Sequence, residues 1–156
     1  MRAWYVLYCT GQDADRISNR VRSMGVNVFR PTLVKVAPRR DCNSFRITEK
    51  PMFPNYLFLE FDIEQIHTSF FTDIPGAVSF IHFGAGPCRV PQYVIDGLKN
   101  LKEVLLNFLT ISAEFMGSDA PLLNELHRIS SITNSTERQA AFTTLLNSRK
   151  PKSVWN

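Results

Sequence analysis

Pro51-Met-Phe-Pro-Asn-Tyr-Leu-Phe-Leu-Glu-Phe-Asp62 decides the fold. From Tyr56 onward the side chains alternate as in a strand. Leu57, Leu59 and Phe61 share one face; Tyr56, Phe58 and Glu60 share the other. One face can fill a core. The other still carries two aromatics, and such a patch requires a cover, either another part of the chain or a partner.

The neighbouring segments fit around this strand. Trp4 to Cys9 alternates bulky residues, with Trp4, Val6 and Tyr8 on one face and Tyr5 and Leu7 on the other, and reads as a second strand. Thr10-Gly11-Gln12 breaks it. A helix opening at Gln12 or Asp13 puts Ala14, Ile17, Val21 and Met24 on a buried stripe, with Gly25 as its stop. Arg16 and Arg20 lie four apart on its solvent side with Arg22 nearby, so several cations are expected to face one direction. Residues 26–36 read as a strand interrupted at Pro31, Pro38-Arg39-Arg40-Asp41 as a hairpin tip, and residues 45–48 as the return strand. Residues 63–71 have helix spacing with Ile66, Phe70 and Phe71 inward, which leaves His67, Thr68 and Ser69 as an ordinary polar exterior or a contact patch. Residues 78–83 form a strand that Gly84-Ala85-Gly86-Pro87 ends. Val90-Pro91 enters a helix with Val94, Ile95, Leu98 and Leu101 on one side. Beyond it, residues 105–115, 122–132 and 136–146 read as amphipathic helix, while 108–112, 128–132 and 141–145 also carry strand-like spacing of β-branched residues.

With 156 residues, 44% apolar and 21% charged, the chain is globular: one domain, or one of about 100 residues plus a small second one. Its formal charge is +4, yet eight basic residues (Arg16, Arg20, Arg22, Arg30, Lys35, Arg39, Arg40, Arg46) stand against one acid, Asp41, between Arg16 and Arg46. A basic zone this concentrated points to a polyanion, of which nucleic acid is the commonest. His67, His82 and His127 are scattered, and Cys9, Cys42 and Cys88 share no ligand spacing, so no metal site is expected. Gly84-Ala-Gly86 follows a strand, but Pro87 and Pro91 break a dinucleotide fingerprint. No phosphate loop or nucleophile elbow occurs. The residues therefore predict no enzyme and no cofactor, and Cys9 reads as a small apolar thiol. No apolar run approaches the roughly 18 residues of a membrane span. The N-terminus runs straight into a strand pattern, so a cytoplasmic protein with reduced thiols is expected.

In order along the chain, Trp4-Tyr-Val-Leu-Tyr-Cys9, the Pro51–Asp62 stretch, Ile66-His-Thr-Ser69, Pro75-Gly76, and Phe80-Ile-His-Phe-Gly84 with Val90-Pro91 resemble the NusG family of transcription elongation factors. The Ile-His-Thr-Ser stretch and the Tyr-Cys pair are similar to its specialised RfaH-like branch, plasmid-borne relatives included. The resemblance runs from Trp4 to Leu101. It implies an α+β fold: an N-terminal domain over 1–101 with a four-stranded, mainly antiparallel sheet flanked by helices, a linker or helix extension at 102–110, and a degenerate KOW-like domain at 111–156. The last is expected as a helical hairpin, with a β-barrel as the alternative. The resemblance also implies that the first domain binds bacterial RNA polymerase. Tyr8, Phe53, Pro54, Tyr56 and Phe58 would accept the clamp helices, and His67, Thr68 and Ser69 would meet the gate loop on the opposite jaw. Bridging both jaws would suppress pausing and termination. Upstream or non-template DNA would lie along Arg16, Arg20, Arg22, Arg39 and Arg40, mainly through phosphates. Thr10-Gly11 and Pro75 stand where the RfaH-like branch has Lys-Arg and Arg, so the same DNA element is not implied.

In that branch the tail masks the clamp-helix site as a helical hairpin, then refolds to a barrel that contacts a ribosomal protein. The helix-or-strand character of residues 105–146 suits such a switch. Glu114-Phe-Met-Gly117, residues 137–146 and residues 150–154 resemble parts of the barrel. Helical amphipathicity is the stronger pattern, so two helices packed on Tyr56 and Phe58 are expected. The branch holds its closed state with an ion pair between a Glu just before the Pro-x-Phe-Pro motif and an Arg in the hairpin. Lys50 stands in place of that Glu, and a charge-reversed pair of Lys50 with Glu137 is expected. A monomer without membrane contact is expected. A reading of another class is a free-standing RNA-binding module, with bases stacking on Tyr8, Tyr56 and Phe58 beside the basic helix. A general elongation factor that binds Rho is a third, against which the degenerate tail argues.

Overall fold

The computed structural model describes residues 1–107 and 120–149. In chain order the elements are β1 (Ala3–Cys9), α1 (Ala14–Ser23), β2 (Asn27–Phe29), β3 (Thr32–Pro38), β4 (Phe45–Pro51), β5 (Tyr56–Phe61), α2 (Ser69–Thr72), β6 (Ala77–Phe80), β7 (Arg89–Val90), α3 (Gln92–Asn107), α4 (Ala120–Ser130) and α5 (Ser135–Ser148). The strand read first from the sequence, β5, lies inside a sheet of order β2-β5-β1-β6, every pairing antiparallel. The expected four strands are present. Short β7 adds to β1 beside β6, pairing Val90 with Trp4.

The register explains the two faces. Leu7 lies opposite Leu57 and Tyr5 opposite Leu59; Val6 lies opposite Phe58 and Tyr8 opposite Tyr56. Tyr5, Leu7, Leu57, Leu59 and Phe61 are buried against Ala14, Ile17 and Val21 of α1 and Phe71 of α2. Trp4, Val6, Tyr56 and Phe58 are buried under Val94, Ile95 and Leu98 of α3 and under the tail helices, through Leu122, Leu126, Ile129, Phe142, Leu145 and Leu146. Gly97 lets α4 approach α3, since a Cβ there would stand 3.1 Å from both Leu122 and Leu126. Asn134 caps α5, its side chain accepting from the backbone N–H of Thr136 (2.9 Å) and Glu137 (3.3 Å). The expected C-terminal helices are thus present, and residues 137–146, which resemble barrel strands, are helical. The described residues close no barrel. The barrel-like pieces at 114–117 and 150–154 lie outside them.

β3 and β4 make a separate two-stranded hairpin, closed where the Arg39 N–H donates to Ser44 O (3.0 Å). The return strand runs to Pro51, three residues beyond the expected end.

Three expectations fail locally. Met24, placed on the buried stripe of α1, is 39% exposed, because the helix ends at Ser23 and the chain turns through Gly25 at φ +82°. The helix expected over 63–71 is only α2. The N–H groups of Gln65 and Ile66 both turn back to Asp62 O, and the Asp62 carboxylate takes the Glu64 N–H. This separate turn shifts the phase, so Phe71 is buried and Phe70 is 62% exposed. The strand expected over 78–83 stops at Phe80, and the loop beyond it is pinched where His82 pairs with Pro87.

Leu57 and Ile47 test this layering. Leu57→Ala, at a fully buried position, lowers unfolding free energy by about 3 kcal/mol in denaturant melts. Ile47→Ala, 52% exposed on the hairpin, stays within about 0.5 kcal/mol of wild type.

Candidate functional site

Phe53, Tyr56 and Phe58 form one aromatic depression, with ring centroids 5.8 Å apart for Phe53–Tyr56 and 6.5 Å for Phe53–Phe58. The turn that carries them is pinned to β1. Cys9 N donates to Asn55 O, and the Asn55 side-chain amide donates back to Cys9 O, each at 2.9 Å. Phe142 of α5 fills the depression, 4.6 Å from the Phe53 ring and 5.7 Å from the Phe58 ring. Phe53, Tyr56 and Phe58 are therefore buried. Half-buried Pro54 and exposed Tyr8 mark the margin, Tyr8 meeting Tyr56 edge-on at 6.1 Å.

Polar bonds frame this plug. The Tyr56 hydroxyl donates to Thr143 Oγ1 (3.0 Å), whose own proton goes to Gln139 O (2.9 Å). Burial raises the Tyr56 pKa, so the phenol stays a donor. The Gln139 side-chain carbonyl accepts from Asn55 N (3.1 Å). Arg138 is buried, its Nε donating to Met52 O (2.6 Å) and its Nη1 to Ile132 O (2.7 Å) and Thr133 O (3.4 Å). Burial lowers the guanidinium pKa from its ordinary value. One cation thus ties the α4–α5 turn to the residues just before the depression through main-chain carbonyls. Sequence reasoning missed it. Its position four residues before Phe142, on the same side of the helix, was the available signal. Lys50 and Glu137 are both exposed, on β4 and in the first turn of α5.

His67, Thr68 and Ser69 enter α2 together. The Ser69 backbone N–H and hydroxyl both donate to His67 Nδ1, at 3.2 and 2.8 Å. In the neutral ring the proton therefore sits on Nε2, which is left to donate outward. His67 and Phe70 are exposed, while Thr68 and Ser69 are half-buried.

The cations do not share one direction. Arg16 and Arg20 line a concavity of about 560 Å³ with Met24, Phe70, Asp73 and Pro75. Arg22 lines another, of about 470 Å³, with Trp4, Phe29 and Lys99. Arg20 and Arg22 are two residues apart, or roughly 200° around a helix, so they cannot face the same way. Arg16 is also locally engaged, donating to Pro75 O (2.5 Å) and lying 3.1 Å from the Asp13 carboxylate. The Thr10 hydroxyl, then Arg16, holds the Asp13 carboxyl below its ordinary pKa. Gly76, at φ +96°, has no room for a Cβ, which would stand 2.6 Å from Asp13. Arg39 and Arg40 are exposed at the hairpin tip. Nearby Cys42 has its thiol pKa lowered by hydrogen bonding to Ser44, 2.8 Å away. Burial pushes the Cys9 thiol up to about 11, which makes it an inert apolar group.

Among the described residues, no three His, Cys, Asp or Glu side chains could hold a metal ion together. No described helix is long and apolar enough to cross a membrane.

The family model described as transcription termination factor nusG matches residues 2–99, well over half the chain. Among solved structures, Thermotoga maritima NusG, solved as "Domain interaction in Thermotoga maritima NusG", is 18% identical with a TM-score of 0.41. The match covers 67% of this chain and 59% of that one.

Removing the Arg138 guanidinium strands the buried Met52 carbonyl and frees those of Ile132 and Thr133. Arg138→Ala is expected to lower the opening free energy of α5 by about 2 kcal/mol, read as lost amide-exchange protection in residues 135–148. Protection in β5 should stay near wild type.

Proposed function

Because the chain belongs to the NusG family, we propose that it is a non-enzymatic transcription elongation and antitermination factor of the RfaH-like branch. Tyr8, Phe53, Pro54, Tyr56 and Phe58 take the RNA polymerase clamp helices, and His67, Thr68 and Ser69 touch the gate loop. The observation that carries this reading is the plugged depression. Its aromatic wall lies within the matched residues 2–99, and its plug, Phe142, comes from outside them. A partner helix and α5 cannot occupy Phe53 and Phe58 together. The closed chain then binds in proportion to its open fraction, so release of the tail sets the apparent affinity. Residues 111–156 act in this reading as a second domain that moves away as a unit.

Exposed Arg20 and the hairpin-tip Arg39 and Arg40 are the cations best placed for DNA phosphates. Arg16, engaged by Pro75 and Asp13, helps to shape the same concavity, and exposed Phe70 offers an aromatic surface beside it. The RNA-module reading needs Tyr56 and Phe58 open for stacking. They are 7% and 0% exposed, so stacking there, like clamp-helix binding, requires the tail to be released first.

Pull-down against bacterial RNA polymerase tests the proposal. Arg138→Ala should be retained more strongly than wild type, and deletion of the clamp helices should abolish retention of both. Retention indifferent to the deletion sinks the clamp-helix reading, and tight RNA binding without polymerase supports the module instead. The proposed Lys50–Glu137 pair has its own test. Reversing either charge should speed polymerase binding a few-fold, and reversing both should restore the wild-type rate. Two single variants no faster than wild type would remove the pair.

A further inference from the structure

Beside the His67–Ser69 patch lies a concavity of about 350 Å³ lined by Thr68, Thr72, Ser79, Phe80, His82 and the 84–87 loop. Thr68 belongs to both, so the two surfaces are continuous. The hydroxyls of Thr68 and Ser79 have no hydrogen-bond partner among the described residues. His82 is exposed, and its Nδ1–H donates to the carbonyl of Phe80 (3.1 Å), since a carbonyl can only accept. In the neutral ring Nε2 is therefore a free acceptor.

The two imidazoles are thus oppositely set. At His67, Nδ1 accepts and Nε2 carries a proton outward; at His82, Nδ1 donates and Nε2 accepts. Among the described residues, the lining of the concavity holds no Lys, Arg, Asp or Glu. A phosphate finds no cation there. A peptide main chain, which offers carbonyls and N–H groups without net charge, matches a site with one outward donor, one outward acceptor and two spare hydroxyls.

We infer that the polymerase contact does not end at Ser69 but continues into this concavity, which seats the main chain of the same gate loop, with His82 as a second contact residue. This rests on the gate-loop reading above. Sequence spacing hid the site, because residues 78–83 read as one strand. The break after Phe80 is what turns His82 toward the 84–87 loop.

Binding of the full chain to a bacterial elongation complex, with and without the gate loop, tests it. His82→Ala, and Ala85→Arg at an exposed loop position, should each weaken binding to the intact complex about fivefold. His82→Gln, which keeps an acceptor, should fall between wild type and His82→Ala. None should matter once the loop is deleted. If loop deletion and His67→Ala weaken binding while His82→Ala and Ala85→Arg do not, the concavity is not part of the contact and only this inference falls. If loop deletion leaves wild-type binding unchanged, the gate-loop reading falls and takes the inference with it. Losses that persist without the loop, or that appear in binding to DNA alone, assign another occupant and overturn it.

Discussion

A strand with apolar side chains on both faces must be covered on both, and β5 imposes this on everything else. Leu57, Leu59 and Phe61 are satisfied by α1 and α2. Tyr56 and Phe58 need a second layer, and α3 supplies only part of it. The tail helices supply the rest, with Phe142 resting on Phe53 and Phe58. Aromatic burial of this size is a large share of a small domain's stability, so the depression is never indifferent to its occupant. In the proposed function, cover by the tail and cover by a partner are two solutions to one physical demand.

The polar frame decides how that cover is held. Arg138 brings a buried cation whose observed partners are carbonyls, held by geometry and hydrogen bonds. Hydrogen bonds to a charged donor are stronger than neutral ones, while removing that donor leaves buried acceptors unsatisfied. The arrangement is sensitive to the path of the main chain at Met52, immediately before the aromatic depression. Tail position and depression shape therefore meet at the main chain of Met52.

The surface is divided as clearly as the core. α1 sends Arg16 and Arg20 toward Phe70 and Pro75, and Arg22 toward Phe29 and Lys99. Among the described residues, the polar groups that line the concavity between α2 and the 84–87 loop are uncharged. A partner with phosphates and a partner with a neutral main chain would therefore meet different parts of one domain.

Much of this was legible in the sequence. Alternation in Trp4–Cys9 and Tyr56–Phe61, the stripe Ala14-Ile17-Val21 and the stripe Val94-Ile95-Leu98-Leu101 are local periodicities, and each appears as read. The uncovered face of β5 was also legible, because an apolar excess is a property of the side chains alone. What covers it was not. Phe142 and Arg138 lie more than 80 residues from the depression in sequence, and residues 128–132 and 141–145 fitted strand as well as helix. Phe70 and Phe71 show the same limit at short range: one turn around Asp62 exchanged their burial. Residue types and their period determine which faces need covering. Only the tertiary structure decides what covers them, because that choice depends on long-range packing that brings distant segments together and on turns that reset the phase of every side chain after them.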